Sequence, residues 1–251
     1  MADLVWEASA GVRILVSPAL RSVGTPHLFA ARDLGAHFEP SLGPGEGPPV
    51  AAWFGADTRV FRLDQVHGAD VFDVDAAGVP GTAPPADAAF TTAPDVALGV
   101  RVADCVPVLV ASTDGRQVAA IHAGWRGLVA GVIPAALARF GTEEKVAAVG
   151  PCLSLERFEV GPEVRTAFAA AALSACVDET VGPRPHVDLR RAAALQLERS
   201  GVSTIDVSSL CTWDDARFFS YRRDVTHGGA PATGRQGALI STRPRDGGPG
   251  A

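Results

Sequence analysis

Closely spaced ligand pairs are missing from this chain: neither Cys-x-x-Cys nor His-x-x-x-His occurs in its 251 residues. Compact zinc modules, which are built on such pairs, are therefore excluded. No run approaches the 18 or more apolar residues of a membrane span, and the segment Met1-Ala2-Asp3-Leu4-Val5-Trp6-Glu7 has acids where a signal peptide has basic residues. The expectation is a cytoplasmic protein with no membrane partner. Basic charge is also in deficit, because 22 Lys and Arg face 28 Asp and Glu for a net −6. That balance argues against nucleic acid as a partner, which needs a concentrated basic surface, and Arg222-Arg223 is too small a cluster to reverse it. The four cysteines, Cys105, Cys152, Cys176 and Cys211, show no paired spacing, so reduced thiols are expected instead of a disulfide framework.

At 47% hydrophobic residues the chain can bury a substantial core. No linker divides it, and we read 1–241 as a single domain. Residues 40–49, rich in Pro and Gly, form an exposed loop in this reading, and 242–251 a disordered tail. The order of elements is mixed α/β. Strand-like runs fall at 59–66, 71–74, 96–102, 106–111, 118–121, 146–149, 204–207 and 237–240. Helical spacing occurs at 128–140, where Pro134 predicts a kink or a start, at 162–173, and at 189–199 behind Asp188 as N-cap.

Three separated segments each place a metal-binding residue type at the end of an apolar run beside a turn-former. They are Gln65-Val66-His67-Gly68, Ala103-Asp104-Cys105-Val106-Pro107 and Ile121-His122-Ala123-Gly124-Trp125-Arg126-Gly127. Any one of them alone reads as a buried structural residue. Together, two imidazoles and a thiolate make a zinc site with an open fourth position, the catalytic pattern. Copper is the less favoured metal, since six histidines are few for a multicopper cluster.

These segments, with Gly150-Pro151-Cys152, Phe158-Glu159-Val160-Gly161, Cys211-Thr212 and Phe218-Phe219-Ser220-Tyr221-Arg222-Arg223-Asp224, resemble the YfiH-type laccase-domain family and come in that family's order over roughly positions 58 to 240. The resemblance implies an α/β layered sandwich with mixed β-sheet and flanking helices, and zinc on His67, Cys105 and His122. It further implies one of several activities: phosphorolysis of adenosine, inosine, guanosine or methylthioadenosine, with adenosine deamination; polyphenol oxidation with copper; or editing of peptidoglycan precursors. Purine nucleoside and inorganic phosphate are the expected partners. A scaffold that keeps the metal and has lost the chemistry is a further reading. The N-terminal part departs from the family pattern, with Asp33 in place of an expected Asn and Glu39-Pro40 in place of Gly-Asp.

Other residues carry two readings each. Asp104 could move a proton beside Cys105 or serve structure alone. Glu159 could be the general acid or base that deamination requires, or pair with an arginine such as Arg126. Arg126 and Arg222 are phosphate-clamp candidates or surface charges. Gln65 could read a base edge or orient His67, and Trp125 could stack on a purine or fill the core. Asp33 would sit against bound phosphate and weaken its binding by charge repulsion.

Overall fold

The computed structural model describes residues 1–9, 11–34, 53–55, 57–74 and 82–243. The expected loop at 40–49 and most of the expected tail lie outside them. Fourteen strands and five α-helices are present among the described residues. The strands are β1 (Val5–Ser9), β2 (Val12–Val16), β3 (His27–Ala30), β4 (Arg59–Arg62), β5 (Val71–Asp73), β6 (Ala88–Thr91), β7 (Val96–Val102), β8 (Val106–Ser112), β9 (Val118–Ala123), β10 (Lys145–Val149), β11 (Val177–Asp178), β12 (His186–Val187), β13 (Thr204–Val207) and β14 (Gln236–Ser241). The helices are α1 (Pro18–Ser22), α2 (Trp125–Ala130), α3 (Val132–Leu137), α4 (Pro162–Ala170) and α5 (Leu189–Arg199).

Two six-stranded mixed sheets stack face to face, ordered β1-β2-β3-β14-β7-β4 and β13-β10-β8-β9-β6-β5. Period-two alternation of side chains explains how the second sheet sits in the middle. Along β8, Val106, Val108 and Val110 join a cluster with Leu128, Ile133, Phe168 and Leu197 of the helices, whereas Leu109 and Ala111 join Phe29, Leu98 and Ile240 of the first sheet. A strand covered on both faces reads as a continuous apolar run, and all seven residues of β8 are buried. The far face of the first sheet is covered by Trp53 and Phe54, packed against Ile14, Leu28 and Leu239. The layered α/β expectation is met.

Several element boundaries differ from the sequence reading. The helix expected at 128–140 is two helices broken at Gly131, whose φ of 83° closes α2 and opens α3, so Pro134 falls harmlessly in a first turn. The strand expected at 59–66 ends at Arg62, because the chain turns toward the site and His67 adopts a φ of 63°. Helix α5 starts where Asp188 was expected to cap it, its carboxylate accepting the Arg191 N–H at 2.9 Å. No helix among the described residues is long and apolar enough to cross a membrane.

Candidate metal centre and its cavity

His122 lies in β9, in register with Pro107 of β8, so the residue just before β8, Cys105, comes alongside it. His67 arrives from the β4–β5 connection. The ligand atoms of the three all lie within 4.8 Å of one another, and Cys105 Sγ is 3.9 Å from His67 Nε2. Zinc bonds of about 2.3 Å to sulfur and 2.0–2.1 Å to nitrogen at tetrahedral angles put such atoms roughly 3.5 Å apart, so the donor set fits a single metal ion. Gly124 is part of this fit. A Cβ there would meet Cys105 Sγ and a carbon of the His67 ring at 3.1 Å each.

The residue that organises the ligands is Asp87, which the sequence reading passed over. It is fully buried just before β6 and accepts three hydrogen bonds: from His122 Nδ1–H at 2.7 Å, His67 N–H at 2.9 Å and Gly68 N–H at 2.5 Å. Burial favours its protonated form, but the His122 bond and the two amides outweigh burial and hold its carboxyl below the usual range. With Nδ1 committed to Asp87, His122 offers Nε2 to a metal, the carboxylate–histidine arrangement common behind metal sites. Burial opposes charge on Cys105 and His122 as well. Their mutual attraction prevails, bringing the thiol down to about 6 and, with Asp87, the imidazole up to about 9. The thiolate is the form that binds metal. The visible signal for Asp87 was an acid inside the apolar stretch Pro85-Ala86-Asp87-Ala88-Ala89, since an acid is almost never fully buried without partners.

The three ligand residues line a cavity of about 580 Å³ whose walls include Gln65, Arg101, Trp125, Phe158, Tyr221 and Arg222. Asp104 also lines it, from outside any strand. It occupies a bend between β7 and β8 with a φ of 88°, and its carboxylate accepts Thr212 Oγ1–H at 2.6 Å and the Arg222 N–H at 2.7 Å. Asp104 thereby ties the Cys211-Thr212 and Arg222 segments to the Cys105 turn. Gln65 is engaged on both sides of its amide, accepting the Arg101 N–H and donating to the Arg101 carbonyl, each at 2.8 Å. Arg222 donates through Nη1 to the Glu159 carbonyl at 3.0 Å and stacks over Phe158.

Three expected site residues are placed elsewhere. The Glu159 side chain is 40% exposed, pairs with Arg184 at 3.4 Å instead of Arg126, and is not among the residues lining the cavity. Arg126 is exposed and stacks over the Trp125 ring at 4.5 Å, outside the lining. Asp33 is exposed, accepts the neighbouring Leu34 N–H, and does not line the cavity either. Sequence position cannot reveal such placements, because each depends on which way a turn or helix faces. Arg101 and Arg235 were not singled out from sequence, yet both line the cavity.

Residues 49–243 match the family described as multi-copper polyphenol oxidoreductase laccase. A Pseudomonas aeruginosa protein named purine nucleoside phosphorylase is 38% identical over 94% of this chain and 95% of its own length. The chain belongs to this laccase-domain family. Within the family it is also similar to purine nucleoside phosphorylase YfiH of Escherichia coli, 35% identical over 94% of this chain and 96% of that one. Two crystal structures share the fold: a Neisseria meningitidis protein of family DUF152, 32% identical with a TM-score of 0.69, and YlmD of Geobacillus stearothermophilus, 26% identical with a TM-score of 0.77. Each covers 96% of this chain and 100% of the other.

Proposed function

We propose that this laccase-domain protein is a zinc-dependent purine nucleoside phosphorylase acting on adenosine, inosine, guanosine or methylthioadenosine. The observation that carries the reading is a three-ligand His67–Cys105–His122 group on the wall of a cavity of about 580 Å³, a size suited to a small organic ligand. The names of its relatives support the substrate class. Zinc bound there would supply Lewis acidity toward a substrate oxygen or nitrogen. In phosphorolysis a phosphate oxygen forms the new bond to ribose C1′, the C1′–N bond breaks, and the purine leaves with the electron pair. This chain's own work is positional: Trp125, Phe158 and Tyr221 offer apolar faces for a purine, while cavity arginines hold the anionic nucleophile.

Adenosine deamination is a second reaction for the same cavity, and it requires a carboxyl group to relay protons. Asp64 and Asp104 are the carboxylates that line the cavity among the described residues, and Asp104 is already bonded to Thr212 and Arg222. Asp64 is therefore the better relay than Glu159. The chain's compartment is proposed as the cytoplasm, where four free cysteines persist as thiols. The test is a product screen of zinc-loaded protein with adenosine, inosine and methylthioadenosine, each with and without inorganic phosphate. Phosphate-dependent release of free base with ribose 1-phosphate is the expected result. Oxidation of a phenol by copper-loaded protein with no nucleoside turnover would replace this reading.

A further inference from the structure

Among the described residues three arginines line this cavity, and they differ in how much of the guanidinium is already spent. Arg222 is bonded to the Glu159 carbonyl and packed on Phe158. Arg235 gives Nη1 to the carbonyls of Thr233 and Gly234, at 3.0 and 3.1 Å, leaving its other donors. Arg101 spends only its backbone, on Gln65 and on the β7–β14 ladder. Its guanidinium makes no hydrogen bond or ion pair with the described residues. One cavity brings the two cations together. Arg101 pairs with Gly237 of β14, Arg235 stands one residue before that strand begins, and both side chains line the same cavity.

Two like charges lining one cavity repel, and no carboxylate in the cavity pairs with either among the described residues. An anion between them would turn that repulsion into attraction. The free fork of Arg101 presents donors that match two oxygens of a tetrahedral oxyanion, which a point charge such as lysine does not. The position of this fork is set relative to the metal ligands, because Gln65 clamps the Arg101 backbone two residues before His67.

We propose that Arg101, with Arg235 beside it, is the phosphate-binding subsite of the cavity; the assignment rests on the phosphorylase reading and names its anion site. The Gln65 amide is a positioning group for this subsite and not a reader of the base. Arg126 and Asp33 take no part in it.

The test compares wild type, Arg101→Gln, Arg101→Lys and the surface variant Arg139→Gln, all zinc-loaded. Steady-state kinetics are measured with phosphate varied at saturating inosine, and binding of inorganic phosphate alone is measured by calorimetry. A charge-assisted bidentate contact implies that Arg101→Gln raises the KM for phosphate and weakens phosphate binding by about 10-fold or more. Arg101→Lys should recover only part of this, the KM for inosine should stay within about twofold, and Arg139→Gln should match wild type in every measurement. Zinc content and the urea midpoint, read for each variant, separate an anion defect from a folding defect. Arg101→Gln with wild-type phosphate binding and KM overturns the proposal, as does wild-type protein that binds no phosphate. Phosphate binding that depends on Arg101, in a protein that turns over no nucleoside, upholds the subsite and instead removes the phosphorylase reading.

Discussion

Asp87 accepts from one imidazole and two amides with no exposed surface, so a single substitution there reaches both histidine ligands. Asp87→Asn keeps the shape but loses the charge and presents a donor where acceptors are needed. Removing such a partner behind a metal ligand weakens metal binding by about 10- to 100-fold, which a competitive zinc titration against a chromophoric chelator will read. His27 supplies a second residue-scale test. It is 3% exposed, accepts the Ser17 N–H at 2.8 Å through Nε2 and donates to the Thr25 carbonyl through Nδ1. Burial is the main cause that pushes its pKa down from 6.5 to about 4. Between those values the unfolded chain binds a proton that the folded one refuses. This contribution is therefore fully present above pH 6.5 and is lost as pH falls toward 4, amounting to about 3.5 kcal/mol at about 1.4 kcal/mol per unit. His27→Gln, whose amide can both accept and donate there, should flatten the fall in urea midpoint between pH 7 and 4.5 relative to wild type.

At the scale of elements, the two sheets meet so closely that some positions admit no side chain. Gly150, just after β10, is such a position: a Cβ would fall 2.4 Å from the Phe29 ring of the opposite sheet and 2.8 Å from Pro107. Gly150→Ala forces the sheets apart and is expected to cost about 1–3 kcal/mol, measured by urea unfolding, while zinc stays bound. Gly124→Ala has the opposite signature. Its Cβ presses on Cys105 and His67 instead of the core, so zinc affinity should fall with a smaller change in stability. Comparing the two variants separates the packing role of glycine from its role at the site.

For the whole molecule, the middle sheet belongs to both main hydrophobic clusters, one shared with the helices and one with the first sheet. We propose on that ground that 1–241 folds as one unit, with a single urea transition monitored by circular dichroism and by tryptophan fluorescence. Two separate transitions would divide the domain. The same protein should carry about one zinc per chain by elemental analysis, reduced well below stoichiometric in Cys105→Ala and in His122→Ala. Copper in multiples would contradict the site. Four thiols should titrate in denaturant without reductant, matching the four free cysteines.

The mixed α/β class, most of the inner strands, α5 and its Asp188 cap, and the gathering of His67, Cys105 and His122 into a group that could hold a metal were legible along the chain. Those features are written in local spacing: apolar runs for doubly covered strands, a capping acid before a helix, and ligand types beside turns. The edge strand β1, its neighbour β2 and the short α1 were not legible, since each is too short or too mixed in composition to stand out. The role of Asp87 depends on β6 lying beside β9, and the meeting of Arg101 and Arg235 in one cavity depends on β14 pairing with β7. Glu159, Arg126 and Asp33 looked suited to the site by residue type. They fall outside the cavity lining because the direction of a side chain is decided by long-range strand pairing and by left-handed turns such as Gly131, and neither leaves a periodic trace in the sequence.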